Sequence, residues 1–123
     1  MVKLTFCLRR QAHLTPAEFQ SYWRDTHAGL VAARAETLGI RRYVQVHTSD
    51  LPGLHRAFQA RNGGAPEPFD GVAELWFDSL DDLTSDDEAV RAAAAELLAD
   101  ERNFIDLERS PMWVSTEQEI VNR

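Results

Sequence analysis

His27 offers the most versatile chemistry in this sequence. It follows Trp23 by four residues, so on a helix the imidazole and the indole lie along one face. Histidine exchanges a proton near neutral pH, which suits a general acid or base. The competing reading is a half-buried imidazole bonded to a backbone carbonyl. Glu74 is the second candidate, a carboxylate between Ala73 and Leu75 with Val72 and Trp76 beyond them. An apolar pocket would raise its pKa and suit it to proton transfer. Alternatively it pairs with Arg9, Arg41 or Arg42 on an adjacent strand. Tyr43, Gln45 and His47 alternate and so share a face. They could line a pocket, meet a second copy of the chain or face water.

Other chemistries find less support. The four histidines, His13, His27, His47 and His55, include no pair spaced for a helical metal site, and no Cys/His cluster exists. No metal is expected. Gly63-Gly64 does not join a strand to a helix, so a phosphate loop is not indicated. Cys7, the single cysteine, has no sequence neighbour to activate it and reads as a small buried hydrophobe. The acids from Asp81 to Glu88 lack the alternating ligands of a calcium loop. Thirteen basic against 20 acidic residues give a net charge of −7. That balance disfavours nucleic acid and anionic membrane surfaces as partners. The N-terminal apolar run is broken by Lys3 and resembles neither a signal peptide nor a membrane span. The expectation is a cytoplasmic protein of one domain, 123 residues long.

The elements that must position these groups are readable from periodicity. Val2 to Arg9 alternates as a strand. Thr15-Pro16-Ala17-Glu18 is a capping box that opens a helix, which Gly39 should end. At 100° per residue, Phe19, Trp23, Thr26, Leu30, Ala33 and Thr37 form its stripe. Tyr22 and His27 then lie on the edges, with Arg34 close to His27. Ile40 to His47 alternates again, with Ile40, Val44 and Val46 expected to share a face with Arg42. Residues 48–70 read as a long connection, with a helical turn possible at Leu54 to Ala60. Gly71 to Phe77 is a strand apolar on both faces. Ser85-Asp86-Asp87-Glu88 caps a second helix, in which Val90, Ala94, Leu97, Leu98 and Glu101 keep helical spacing. Met112 to Val121 is the last strand.

The order β-α-β, long connection, β-α-β predicts an α+β, ferredoxin-like antiparallel sheet with two helices on one face. The chain is too short to cover the other face. A second copy of itself is the simplest cover, which predicts a homodimer.

Three stretches resemble the N-terminal signature of the EthD domain family: Phe6-Cys7-Leu8-Arg9-Arg10, Leu14-Thr15-Pro16-Ala17-Glu18-Phe19 and Tyr22-Trp23-Arg24-Asp25-Thr26-His27-Ala28. Arg42 to Gln45 and Phe69 to Phe77 also look like that family's second and third strands. The resemblance implies a dimeric α+β barrel with a pocket between sheet and helices. It maps the family's His onto His27 and its third-strand acid onto Glu74. Similar barrels act as polyketide cyclases, isomerases, dehydratases and cofactor-free monooxygenases.

The reading that follows is a cofactor-independent enzyme acting on a small apolar carbonyl or aromatic compound by cyclisation, dehydration or isomerisation. His27 serves as acid or base and Glu74 as its partner. Tyr22, Tyr43, Gln45 and His47 hold substrate oxygen, Trp23 and Trp76 form apolar walls, and residues 48–70 cover the pocket. The alternatives are a cofactor-free monooxygenase and a non-catalytic ligand-binding accessory protein.

Overall fold

Four alternating segments pair into one antiparallel sheet in a computed structural model that describes residues 1–123. They are β1 (Val2–Leu8), β2 (Ile40–His47), β3 (Gly71–Phe77) and β4 (Met112–Ser115). Their order across the sheet is β2-β3-β1-β4. The helices are α1 (Pro16–Tyr22), α2 (Ala28–Leu38), α3 (Pro52–Arg61) and α4 (Glu88–Glu101). The architecture is the ferredoxin-like α+β sheet expected from the element order.

Alternation assigns the two faces. Leu4, Phe6 and Leu8 of β1 join Ala73, Leu75 and Phe77 of β3 beneath α2 and α4. Burying such a shared apolar layer is the main driving force for the fold. Lys3, Thr5, Glu74 and Trp76 take the outer face. A register shift between Ile40 and Arg42 alters the expected pattern in β2. The irregularity puts Ile40 on the helix side with Tyr43, leaving Arg42, Val44 and Val46 outside.

The first helix begins as expected. The Thr15 hydroxyl accepts from the Glu18 N–H at 3.1 Å, and the Glu18 carboxylate accepts from the Thr15 N–H at 2.9 Å. Gly39 ends α2 with φ of 77°, a left-handed conformation that glycine adopts without strain. Between α1 and α2, however, Trp23–His27 forms a π turn, in which the Ala28 N–H reaches back to the Trp23 carbonyl. The wider turn keeps residues four apart on one line. Phe19, Trp23, His27 and Val31 are therefore buried, while Thr26, Ala33 and Thr37 of the expected stripe face solvent. Arg34 does not reach His27; it bonds the Leu30 carbonyl and the Glu96 carboxylate, tying α2 to α4.

Three further expectations are corrected. Residues 52–61 form a full helix, with Pro52 in its first turn and positive-φ Gly63 and Gly64 just beyond its end. The cap of α4 is Asp87, whose carboxylate accepts from the Ala89 and Val90 N–H groups, while Ser85 caps only the preceding turn. Strand β4 stops at Ser115, because the chain then turns so that Glu117 accepts from the Trp76 indole N–H on the outer face.

Gly71 is where β3 passes closest to the π turn. A Cβ there would lie 2.4 Å from Trp23 Cζ3 and 3.0 Å from the Val46 carbonyl oxygen. Gly71→Ala is expected to destabilise the protein by about 2 kcal/mol, because the fully buried indole has no free space to move into. Chemical denaturation measures this, and an unchanged midpoint would show that the indole can shift without loss.

Candidate active site

Between the sheet and the pair α2/α4 lies a cavity of about 220 Å³. Seventeen of its 20 lining residues are hydrophobic, including Trp23, Leu75 and Leu97. The helical spacing of Val90, Ala94, Leu97 and Glu101 now has a purpose, since all four line this space.

His27 is 5% exposed and lines the cavity. The π turn accounts for its depth: a regular helix would have left it on the stripe's edge. Its Nδ1 lies 2.7 Å from Asp100 Oδ2. Asp100 is the penultimate residue of α4. Its other oxygen accepts from the Tyr22 hydroxyl at 2.5 Å and from the Asn103 amide at 3.2 Å. Burial of Asp100 opposes ionisation, but the bonds from Tyr22, His27 and Asn103 outweigh it and hold its carboxyl below the usual carboxylate range. An ionised Asp100 can only accept, so the Nδ1 proton resides on His27. Nε2 has no partner within the protein, and no fully buried side-chain N or O atom is orphaned, so Nε2 is open to the cavity. In the neutral ring that atom is a base.

Glu101, the last residue of α4, lines the same cavity. Burial pushes its carboxyl up to about 7, the Asp100 charge adds to the rise, and Arg102 offsets part of it. Two acids at a helix C-terminus also face the negative end of the helix dipole.

Tyr43 projects from β2 into the cavity. Its hydroxyl accepts from the Gln45 amide at 2.8 Å, and burial raises its pKa, keeping it a neutral hydroxyl. Gln45 also donates to the Trp23 carbonyl at 2.9 Å, filling a second bonding site on a carbonyl of the π turn. Its oxygen lies 2.8 Å from His47 Nε2, which must therefore be the donor. The His47 ring packs on Trp23 with centroids 4.4 Å apart, and burial, then Arg24, lowers its pKa. Gln45 and His47 thus stand behind the cavity wall and support Trp23 and Tyr43.

Two expected site residues lie elsewhere. Glu74 and Trp76 are on the outer sheet face, because alternation along β3 sends Ala73, Leu75 and Phe77 inward. Glu74 pairs with Lys3 on β1 rather than with Arg9, Arg41 or Arg42, and His27 and Glu74 share no cavity. Trp76 is sandwiched between Lys3 Nζ at 4.9 Å and Arg42 Cζ at 4.5 Å from its centroid. No residue of 48–70 lines the cavity either. That segment is pinned to the end of β1, where Arg9 bonds the Glu67 and Pro68 carbonyls and Arg10 bonds Asp70. Tyr22 does not line the cavity and instead donates to Asp100.

Asp100, Glu101 and Asn103 also gather about His27 and the cavity, and the sequence pattern does not single them out as site residues. One signal was available: Glu101 falls in the apolar stripe of α4, where a carboxylate has no reason to be unless it faces a cavity. No group of three or more His, Cys, Asp or Glu side chains is placed to hold a metal ion. No helix is long and apolar enough to cross a membrane.

The chain belongs to the EthD domain family, whose model matches residues 11–108. Among solved structures it resembles an EthD family protein from Bacillus halodurans at 17% identity and TM-score 0.59, over 96% of this chain and 100% of that one. A dimeric protein of unknown function with a ferredoxin-like fold from Bacteroides fragilis aligns at 15% identity and TM-score 0.56, over 93% of each chain. SnoaB, a cofactor-independent oxygenase from Streptomyces nogalater, aligns at 17% identity and TM-score 0.51 over the whole of both chains. At these identities the likeness is one of fold. A search of the curated proteins found no match.

Proposed function

We propose that this protein is a cofactor-independent enzyme that moves protons on a small, largely apolar carbonyl or aromatic compound. The observation that carries the reading is His27: its Nδ1 is bonded to an ionised carboxylate and its Nε2 opens into an apolar cavity. Asp100 fixes the tautomer and stabilises the imidazolium that forms when Nε2 takes a proton. The apolar walls exclude water, so the charge that develops during transfer is felt strongly by the few polar groups present. Tyr43 offers a neutral hydroxyl to substrate oxygen. Abstraction and return of a proton beside a carbonyl is the elementary step common to isomerisation, dehydration and aldol-type cyclisation.

Two features favour catalysis over simple ligand storage. The His27 ring is committed to a carboxylate rather than to a backbone carbonyl, and its free nitrogen faces the place where a ligand would lie. The outer sheet face, with Val46 and Trp113 at 43% and 47% exposure, supports a homodimer closed over that face.

The test is deuterium uptake from D₂O at the carbon next to the carbonyl of apolar ketones, followed by NMR. Purified protein is expected to accelerate it, and His27→Ala to remove the acceleration. Exchange untouched by His27→Ala would end the reading. An oxygen electrode in the same assay separates cofactor-free oxygenation, which consumes O₂, from proton transfer, which does not.

A further inference from the structure

The cavity carries acids but no base other than His27. Among its 20 lining residues, only His27, Asp82 and Glu101 are ionisable apart from the Tyr43 hydroxyl, and no Lys or Arg is present. Any cationic charge on His27 is already met by Asp100 at 2.7 Å. A carboxylate ligand entering here would lose its hydration, find no free counter-ion and face the charge of neighbouring acids. An uncharged carbonyl oxygen has different needs, since it requires only a donor. Glu101 lines the wall and makes no hydrogen bond to the rest of the protein through its side chain, which leaves it available to a ligand.

We infer that the cavity selects uncharged ketones or enones over carboxylates of the same shape, and that the Glu101 carboxylic acid donates a hydrogen bond to the ligand's carbonyl oxygen. The inference rests on the cavity being the substrate site, and names the substrate class and the second polar contact there. The groups that bear on Glu101 are Asp100 and Arg102 on its own helix, His27 on the π turn, Tyr43 on β2 and Asp82 on the turn Leu80–Asp82. Asp100 opposes its ionisation and Arg102 favours it. With a carboxyl at about 7, the donor form falls from roughly nine-tenths at pH 6 to roughly one-tenth at pH 8. Donation to a carbonyl also fits the proposed step, because a proton lent to the oxygen stabilises the enol formed when His27 removes the neighbouring proton.

Calorimetric titration with 2-acetylnaphthalene and 2-naphthoate tests this on the intact protein, the Glu101→Gln variant and an Ala94→Trp variant. Ala94 is an exposed residue at the cavity wall, so its replacement obstructs the space without disturbing the core. The ketone is expected to bind more tightly than the carboxylate at every pH, and to lose about tenfold in affinity between pH 6 and pH 8. Glutamine keeps a donor that does not titrate, so Glu101→Gln is expected to bind the ketone with no such loss. Ala94→Trp should weaken the ketone at least tenfold. Ketone binding that Ala94→Trp abolishes but that is flat with pH, or equal binding of naphthoate, would overturn the inference and leave the cavity reading standing. No binding of either probe, or ketone binding indifferent to Ala94→Trp, would overturn both.

Discussion

Asp100→Asn is expected to lower turnover by about 10²–10⁴-fold while leaving the fold in place. The reason lies in the three bonds that Asp100 accepts. Tyr22 and Asn103 both donate to Oδ1, and His27 donates from Nδ1 to Oδ2. In the variant the amide oxygen goes to Tyr22 and Asn103, which are donors, and the NH₂ faces His27. Nδ1 must then accept, so the ring proton moves to Nε2. The atom that was a base toward the cavity becomes a donor, and the imidazolium loses its carboxylate. ¹⁵N NMR of the His27 ring reads the tautomer directly, and the deuterium-uptake rate reads its consequence. A ring that keeps its Nδ1 proton and turns over at the parent rate would remove Asp100 from the mechanism. A protein that merely unfolded would show neither a shifted ring signal nor native dispersion.

The elements that hold this pair were legible to different degrees. Strand alternation, the Thr15 capping box and Gly39 each act through neighbours in sequence, so the framework of sheet and first helix could be read directly. The placement of His27 depended on something a 3.6-residue period cannot express. One turn with an i to i−5 bond turns a stripe with Thr26 and Ala33 into a line through Phe19, Trp23, His27 and Val31. The spacing of four was present in the sequence, but a regular helix would have drifted off it by about 40° at each step. Glu74 failed for another reason. Both faces of β3 are apolar, so parity alone could not say which face met the helices, and Lys3 on the neighbouring strand supplied a structural partner.

The partner of His27 lies 73 residues away on the opposite helix. Nothing local marks Asp100, a single carboxylate beside Glu101 that lies outside the apolar spacing of Val90, Ala94, Leu97 and Glu101. Only the packing of α2 on α4, fastened by Arg34 and Glu96, brings that terminus over the imidazole. The α4 C-terminus is an unfavourable place for carboxylates. Two stand there, one ionised by three donors and one pushed up to about 7 by burial, and in the proposed step the first orients the His27 proton while the second lends one to the substrate oxygen. Environments that push neighbouring titrating groups apart in this way are a mark of acid–base sites.

Glu101→Gln is expected to raise stability by about 2–3 kcal/mol at pH 8 and to change it little near pH 4.5. The folded carboxyl titrates at about 7 against an ordinary value of 4.5, so the folded state holds this proton more tightly than the unfolded chain does. That contribution is fully present below 4.5 and is lost as pH rises to 7. The full gap corresponds to about 3 kcal/mol, and the partial exposure of the side chain trims it. Asp100 acts with the opposite sign. Its carboxyl is held below the ordinary 3.8, so its stabilisation is present above that value and is lost as pH falls further. Denaturant titrations of the parent and Glu101→Gln at pH 4.5, 6 and 8 should therefore diverge with rising pH, the parent weakening and the variant staying level. Parallel curves would mean that Glu101 is well solvated and does not face the cavity as a neutral acid. Divergence, together with loss of pH sensitivity in ketone binding, would show that one buried proton both destabilises the protein when it leaves and holds the ligand while it stays.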